Sequence, residues 1–143
     1  MSAAKVVVAA LVATLLLVPT SLFATATEHL DAASVPDVPV DASAAITLDA
    51  VSALMPVAAS AWPAHDFATV TFALADLDGV ALARTTDATI TIDPTAAGWG
   101  WHTDAVTPPP AAVMDLLTVL AHELGHVIGH AHAEGDTLMA ATL

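Results

Sequence analysis

Cysteine and tyrosine are absent from the chain, and lysine and arginine together supply only 2 of its 143 residues. Without cysteine there can be no disulfide framework, no thiolate metal site, no thiol nucleophile and no lipid attached through sulfur. With 2 basic against 15 acidic side chains the formal net charge is −13. A basic groove for phosphate backbones cannot be assembled from this, so nucleic-acid partners are excluded. Attraction to an anionic membrane surface fails for the same reason. The partners such a surface favours are divalent cations, although a solvated acidic face explains most of the carboxylates without any ligand. Aromatic residues are scarce, and much of the 57% hydrophobic content is alanine, so a single domain with a thin core is expected.

The first 26 residues read as a signal peptide. Lys5 gives a positive start, Val6 to Val18 is apolar apart from Thr14, Pro19 ends the run, and Ala24-Thr25-Ala26 offers a small-x-small cleavage site. An uncleaved N-terminal anchor is the competing reading, but the run falls short of the ~20 apolar residues a spanning helix needs. Secretion is therefore expected. A disulfide-free secreted chain fits a bacterial exporter, with periplasm or cell surface as destinations, and no membrane association remains after cleavage. Residues 27–45, with Val35-Pro36-Asp37-Val38-Pro39 at their centre, read as a linker or short pro-segment without a core of its own.

The domain proper is expected over 46–143. Leu48, Val51, Leu54, Met55, Ala58, Ala59 and Trp62 recur at helical spacing, with Pro56 marking a kink or a start. Thr69–Leu77 alternates as a half-buried strand, Asp78-Gly79 is a turn, and Val80–Arg84 and Ala88–Ile92 read as two more strands. After the loop Gly98–Trp101 and the stop Pro108-Pro109-Pro110, Ala111–Ile128 carries an apolar helical stripe of Val113, Leu116, Leu117, Leu120, Leu124, Val127 and Ile128. The fold class is α+β.

On that last helix His122 and His126 stand one turn apart on one face. They point away from the apolar stripe, while Glu123 rotates to one side, where it can reach a water on a metal without ligating it. Catalytic zinc keeps three protein ligands and one open position. Gly129 permits a sharp exit from the helix, and His132, three residues later, can return to the metal. Met139 follows seven residues beyond His132.

The run His122-Glu123-x-x-His126-x-x-Gly129-x-x-His132 with Met139 resembles the metzincin zinc peptidases, and most closely the matrixin-like modules of bacterial secreted and surface proteins. The segments Thr89–Trp101 and Asp115–Ala121 are similar to stretches those modules carry upstream. The resemblance spans about Leu48 to Leu143. It implies a metzincin-like fold: an N-terminal helix, a small twisted mixed sheet, an active-site helix bordering a zinc cleft, and a methionine turn near the C-terminus. It also implies zinc on His122, His126 and His132, Glu123 as general base and proton shuttle, Gly129 as the structural turn, and Met139 as the floor beneath the metal. The strand around Ala88–Asp93 would border the cleft and pair with an extended peptide. The expected function is that of a monomeric, secreted zinc endopeptidase acting on proteins or peptides.

Departures qualify this picture. Ala133 stands where matrixins carry serine, no cysteine exists for a propeptide switch, and the sequence ends four residues after Met139, where the family has a further helix. A zinc-binding surface or structural module that has lost catalysis is therefore the alternative. Calcium is a secondary cofactor candidate through Asp76, Asp78 and Asp93, which turn chemistry also explains. His130 falls off the ligand spacing, His102 reads as an exposed loop residue, and Trp99 and Trp101 read as packing anchors before cleft walls.

Overall fold

A computed structural model describes residues 28–41, 44–135 and 137–143; the signal-peptide reading of residues 1–26 falls outside them. In chain order the elements are β1 (Glu28–Asp31), α1 (Leu48–Ala59), β2 (Thr71–Leu74), β3 (Ala81–Thr86), β4 (Thr89–Ile92), β5 (Trp101–His102), β6 (Met114–Asp115) and α2 (Leu116–Val127). The result is a small α+β fold with two helices and a mixed sheet among the described residues. None of the helices there is long and apolar enough to cross a membrane.

Helix α1 starts where Thr47 accepts a hydrogen bond from the Ala50 amide at 3.3 Å, and Val51, Leu54 and Ala58 face inward. Pro56 lies inside the helix rather than at its start. Helix α2 begins at Leu116, not at Ala111 as the apolar periodicity predicts. Asp115 caps it, accepting from the Thr118 amide at 3.1 Å and the Thr118 hydroxyl at 2.6 Å. Upstream, Ala112 takes a positive φ of 64°, and Met114 and Asp115 pair in parallel with Trp101 and His102. The chain is therefore committed to turn and strand until the cap.

The main sheet has the order β1-β3-β4-β2, with β2 parallel to β4 and the other pairs antiparallel. Both helices pack against each other, and α2 lies across β3 and β1. Leu30, Val51, Leu82, Ile90, Ile92, Leu116, Val119, Leu120 and Leu124 are fully buried between these layers.

Two expectations are corrected by this topology. Residues 27–45 are not simply a coreless arm: they contribute β1, and Leu30 and Ala32 sit in the core. Further along, Val40 donates to the Gly98 carbonyl at 2.8 Å, and Trp99 donates to the Ser34 carbonyl at 2.8 Å. The arm is thereby tied to the loop before β5. Secondly, the Ala88–Asp93 strand does not border a cleft. As β4 it is interior, with β3 on one side and β2 on the other, so neither of its edges is available to a peptide.

Candidate metal centre

Helix α2 delivers His122 and His126, and the turn after it delivers His132. Gly129 makes that turn with φ 91°, a conformation glycine adopts without a Cβ penalty; its amide bonds the His126 carbonyl at 2.9 Å, and the His130 amide bonds the Gly125 carbonyl at 2.9 Å. The chain then doubles back so that one ligating atom from each of the three imidazoles lies within 4.8 Å of the others. His126 Nε2 stands 2.9 Å from His122 Nε2 and 3.2 Å from His132 Nε2.

The outer nitrogens decide the chemistry. His122 Nδ1 is 2.7 Å from the Leu138 carbonyl, and His126 Nδ1 is 2.7 Å from the His130 carbonyl. A carbonyl only accepts, so each Nδ1 carries the proton and each Nε2 presents a lone pair. His132 Nδ1 faces the Glu28 carboxylate at 3.5 Å, which favours the same tautomer. Three lone pairs crowded together repel unless a cation sits among them. Two ligands of a tetrahedral zinc at its usual Zn–N length are about 3.3 Å apart, close to the separations seen. Outer-nitrogen partners of this kind orient metal-ligating imidazoles. The donor set therefore fits a divalent ion that prefers imidazole. Burial pushes the His122 imidazole down to about 4, against the opposing Leu138 carbonyl and with help from the neighbouring imidazoles. Burial likewise lowers His126, with the His130 carbonyl opposing. Both rings are held neutral, the form that binds metal.

Glu123 is fully buried, not open to a cleft. Its Oε2 accepts a 2.6 Å hydrogen bond from the Thr85 hydroxyl of β3, and its Oε1 is buried without a partner. Desolvation raises the carboxyl to about 7; the Thr85 hydroxyl opposes, the Glu28 charge adds to the rise, and the Leu30 amide opposes. In the metal-free protein this raised carboxyl makes stability depend on pH. Between about pH 4.5 and 7 the unfolded chain ionises this group while the folded one retains its proton, so stability falls as pH rises through that window. Glu123→Gln removes that dependence, and its stability relative to wild type should climb by roughly 3 kcal/mol from pH 4.5 to 7. Urea titration of both proteins without metal reads the difference; parallel pH profiles would refute the perturbed carboxyl.

Met139 is buried, and its carbonyl accepts from the Ala133 amide at 2.8 Å. Its side chain lies on the bare backbone of Gly125: a Cβ there would meet Met139 Sδ at 2.5 Å and Trp62 Cζ2 at 2.8 Å. Trp62 has little room to yield, because its indole donates to the Ala121 carbonyl at 2.8 Å and it stacks on His130 at 4.7 Å. Gly125→Ala gains about 1 kcal/mol in helix propensity. Overpacking of a fixed site costs about 1–3 kcal/mol, so a lowered melting temperature is expected. A raised one would show that Met139 moves aside freely.

Residues the sequence reading missed are thus Gly125, Trp62, Thr85, Leu30 and Glu28. A glycine inside a strongly helical pattern already signals close packing, so Gly125 was findable; Thr85 and β1 reach the site only through tertiary pairing. Elsewhere, His102 bonds the Thr107 carbonyl at 2.9 Å, away from the cluster. Trp99 and Trp101 pack against the core, and Trp101 donates to the Asp93 carbonyl at 2.8 Å. Asp93 spends its carboxylate on Thr95, Ala97 and Leu77, as turn chemistry predicts. The histidine triad is the one group of three or more potential metal ligands found among the described residues, so the calcium expectation gains no cluster. Neither the cavity of about 640 Å³ beside Trp99 nor that of about 280 Å³ between α1 and α2 is lined by a triad histidine.

No protein-family model, curated protein or solved structure matches the chain. The class defined by fold and site is thus a small α+β protein with three histidines close enough to hold a metal ion.

Proposed function

We propose that the chain is a secreted, zinc-dependent endopeptidase of the matrixin-like kind. The observation that carries this reading is the convergence of three Nε2 lone pairs, held in that tautomer from outside, beside a buried carboxylate of raised affinity for protons on the helix that carries two of them. His122, His126 and His132 would hold zinc, leaving one position open. Bound there, zinc would supply Lewis acidity toward a peptide carbonyl and acidify water. Glu123 is matched to the proton work, because a group titrating near neutrality both accepts and returns a proton. Its Oε1 is the atom free to do so, since Thr85 occupies Oε2.

The complete burial of Glu123 favours a second reading, a zinc-binding module without hydrolysis. Zinc content and casein hydrolysis, measured on wild type and Glu123→Ala, separate the two. The endopeptidase reading expects zinc in both proteins and cleavage by wild type alone. Zinc without cleavage by wild type would leave the binding module.

A further inference from the structure

The strand β1 lies where a peptide would have to lie. It pairs antiparallel along β3, Glu28 with Thr85, His29 with Arg84 and Leu30 with Ala83, which is how an extended peptide adds to a sheet edge. Thr85 is the residue bonded to Glu123, so this edge runs past the buried carboxylate. At one end of the segment, the Glu28 carboxylate reaches to 3.5 Å from His132 Nδ1. At the other, the Leu30 side chain is fully buried. The segment thus bridges the third histidine and the core behind Glu123.

Its attachment is uneven. The register slips between Leu30 and Asp31, and beyond the slip, where Asp31 still faces Ala81 of β3, the segment gains a second anchorage on the C-terminal residues. Asp31 bonds the Ala141 carbonyl at 3.1 Å and accepts from the Leu143 amide at 3.0 Å; Ala32 and Ala33 bond the Val80 and Leu143 carbonyls at 2.8 and 2.9 Å. Before the slip, Glu28, His29 and Leu30 have β3 as their only strand partner among the described residues. A bulge that separates two anchorages is a natural hinge.

We propose that Glu28–Leu30 is an internal occupant of the peptide cleft: an extended peptide gains the β3 edge beside Glu123 only when these three residues peel away at the bulge, so the folded protein is latent. The inference rests on the peptidase reading for its purpose and on the strand geometry for its substance. A competitor carried by the same chain lowers apparent affinity by the fraction of time the edge is free.

The absence of cysteine allows a clean test in the full chain. His29→Cys with Arg84→Cys joins two cross-strand neighbours and locks the segment down when oxidised; a phosphine reductant releases it. Two readouts are taken: binding of a fluorescent peptide with the sequence of residues 28–33 to the metal-free protein, and casein hydrolysis by the zinc-loaded protein. Peptide binding is expected to be at least about tenfold weaker in the oxidised than in the reduced form, and about tenfold tighter than wild type in Leu30→Asp, which cannot bury its carboxylate. Should Leu30→Asp fail to fold, the disulfide pair decides alone. Equal peptide binding by oxidised and reduced protein, or casein cleavage at equal rates by both, overturns the proposal while leaving hydrolysis standing. If the disulfide gates peptide binding but no form cleaves casein, the occupant stands and the peptidase reading falls.

Discussion

On the proposed zinc reading, replacing His126 by alanine is expected to take zinc from one ion per chain to none at equimolar metal, and to abolish the rise in melting temperature expected of wild type with zinc. His126 is the choice because its Nε2 is the middle of the cluster, 2.9 Å from one partner and 3.2 Å from the other. Losing an outer partner of a ligating histidine typically costs 10–100-fold in metal affinity, and losing the ligand itself must cost more. Wild type held at a hundred times its dissociation constant gains about 2.7 kcal/mol from zinc, and the variant forfeits that gain. The metal-free proteins should differ much less, because alanine also relieves the crowding of lone pairs. His102→Ala, which alters a histidine away from the cluster, serves as the control and should keep its zinc. Undiminished zinc affinity in His126→Ala would mean that the ion, if bound at all, is bound elsewhere.

How much of this centre was legible before the fold was known depends on the distance over which each contact acts. His122, His126, Gly129 and His132 lie within eleven residues of sequence. Helical periodicity and one glycine turn place them, so local rules suffice. The helix start at Leu116 was misjudged by five residues, because apolar spacing continues through Val113 while the cap at Asp115 and the pairing of Met114 end the strand there. Strands β2, β3 and β4 are legible in the sequence, but not their order. Alternation in Thr89–Ile92 identifies a strand without saying whether it is an edge or an interior one, and only pairing with β2 and β3 makes it interior. β1 was the largest omission. Glu28–Asp31 is four residues with one buried leucine, flanked by proline-rich sequence, and nothing local distinguishes it from an extended arm. Its strand character is conferred by β3.

Glu123→Ala is expected to lower casein hydrolysis by about 10²–10⁴-fold, the usual contribution of a positioned general base, equivalent to roughly 3–5 kcal/mol in the barrier. Zinc content should stay at the wild-type level, because the carboxylate is not among the three clustered ligands. Its contribution should lie in kcat rather than KM, since proton transfer belongs to the transition state and not to peptide binding. Burial makes this prediction demanding. A carboxylate with one oxygen on Thr85 and the other without a partner costs stability while it is charged, so Glu123→Ala should unfold no more readily than wild type above pH 7 even as hydrolysis is lost. A purely structural glutamate would give the opposite pair of results, a less stable protein with its hydrolysis intact. Measured on one preparation, the two quantities therefore discriminate between a residue kept for chemistry at the expense of stability and one kept for the fold.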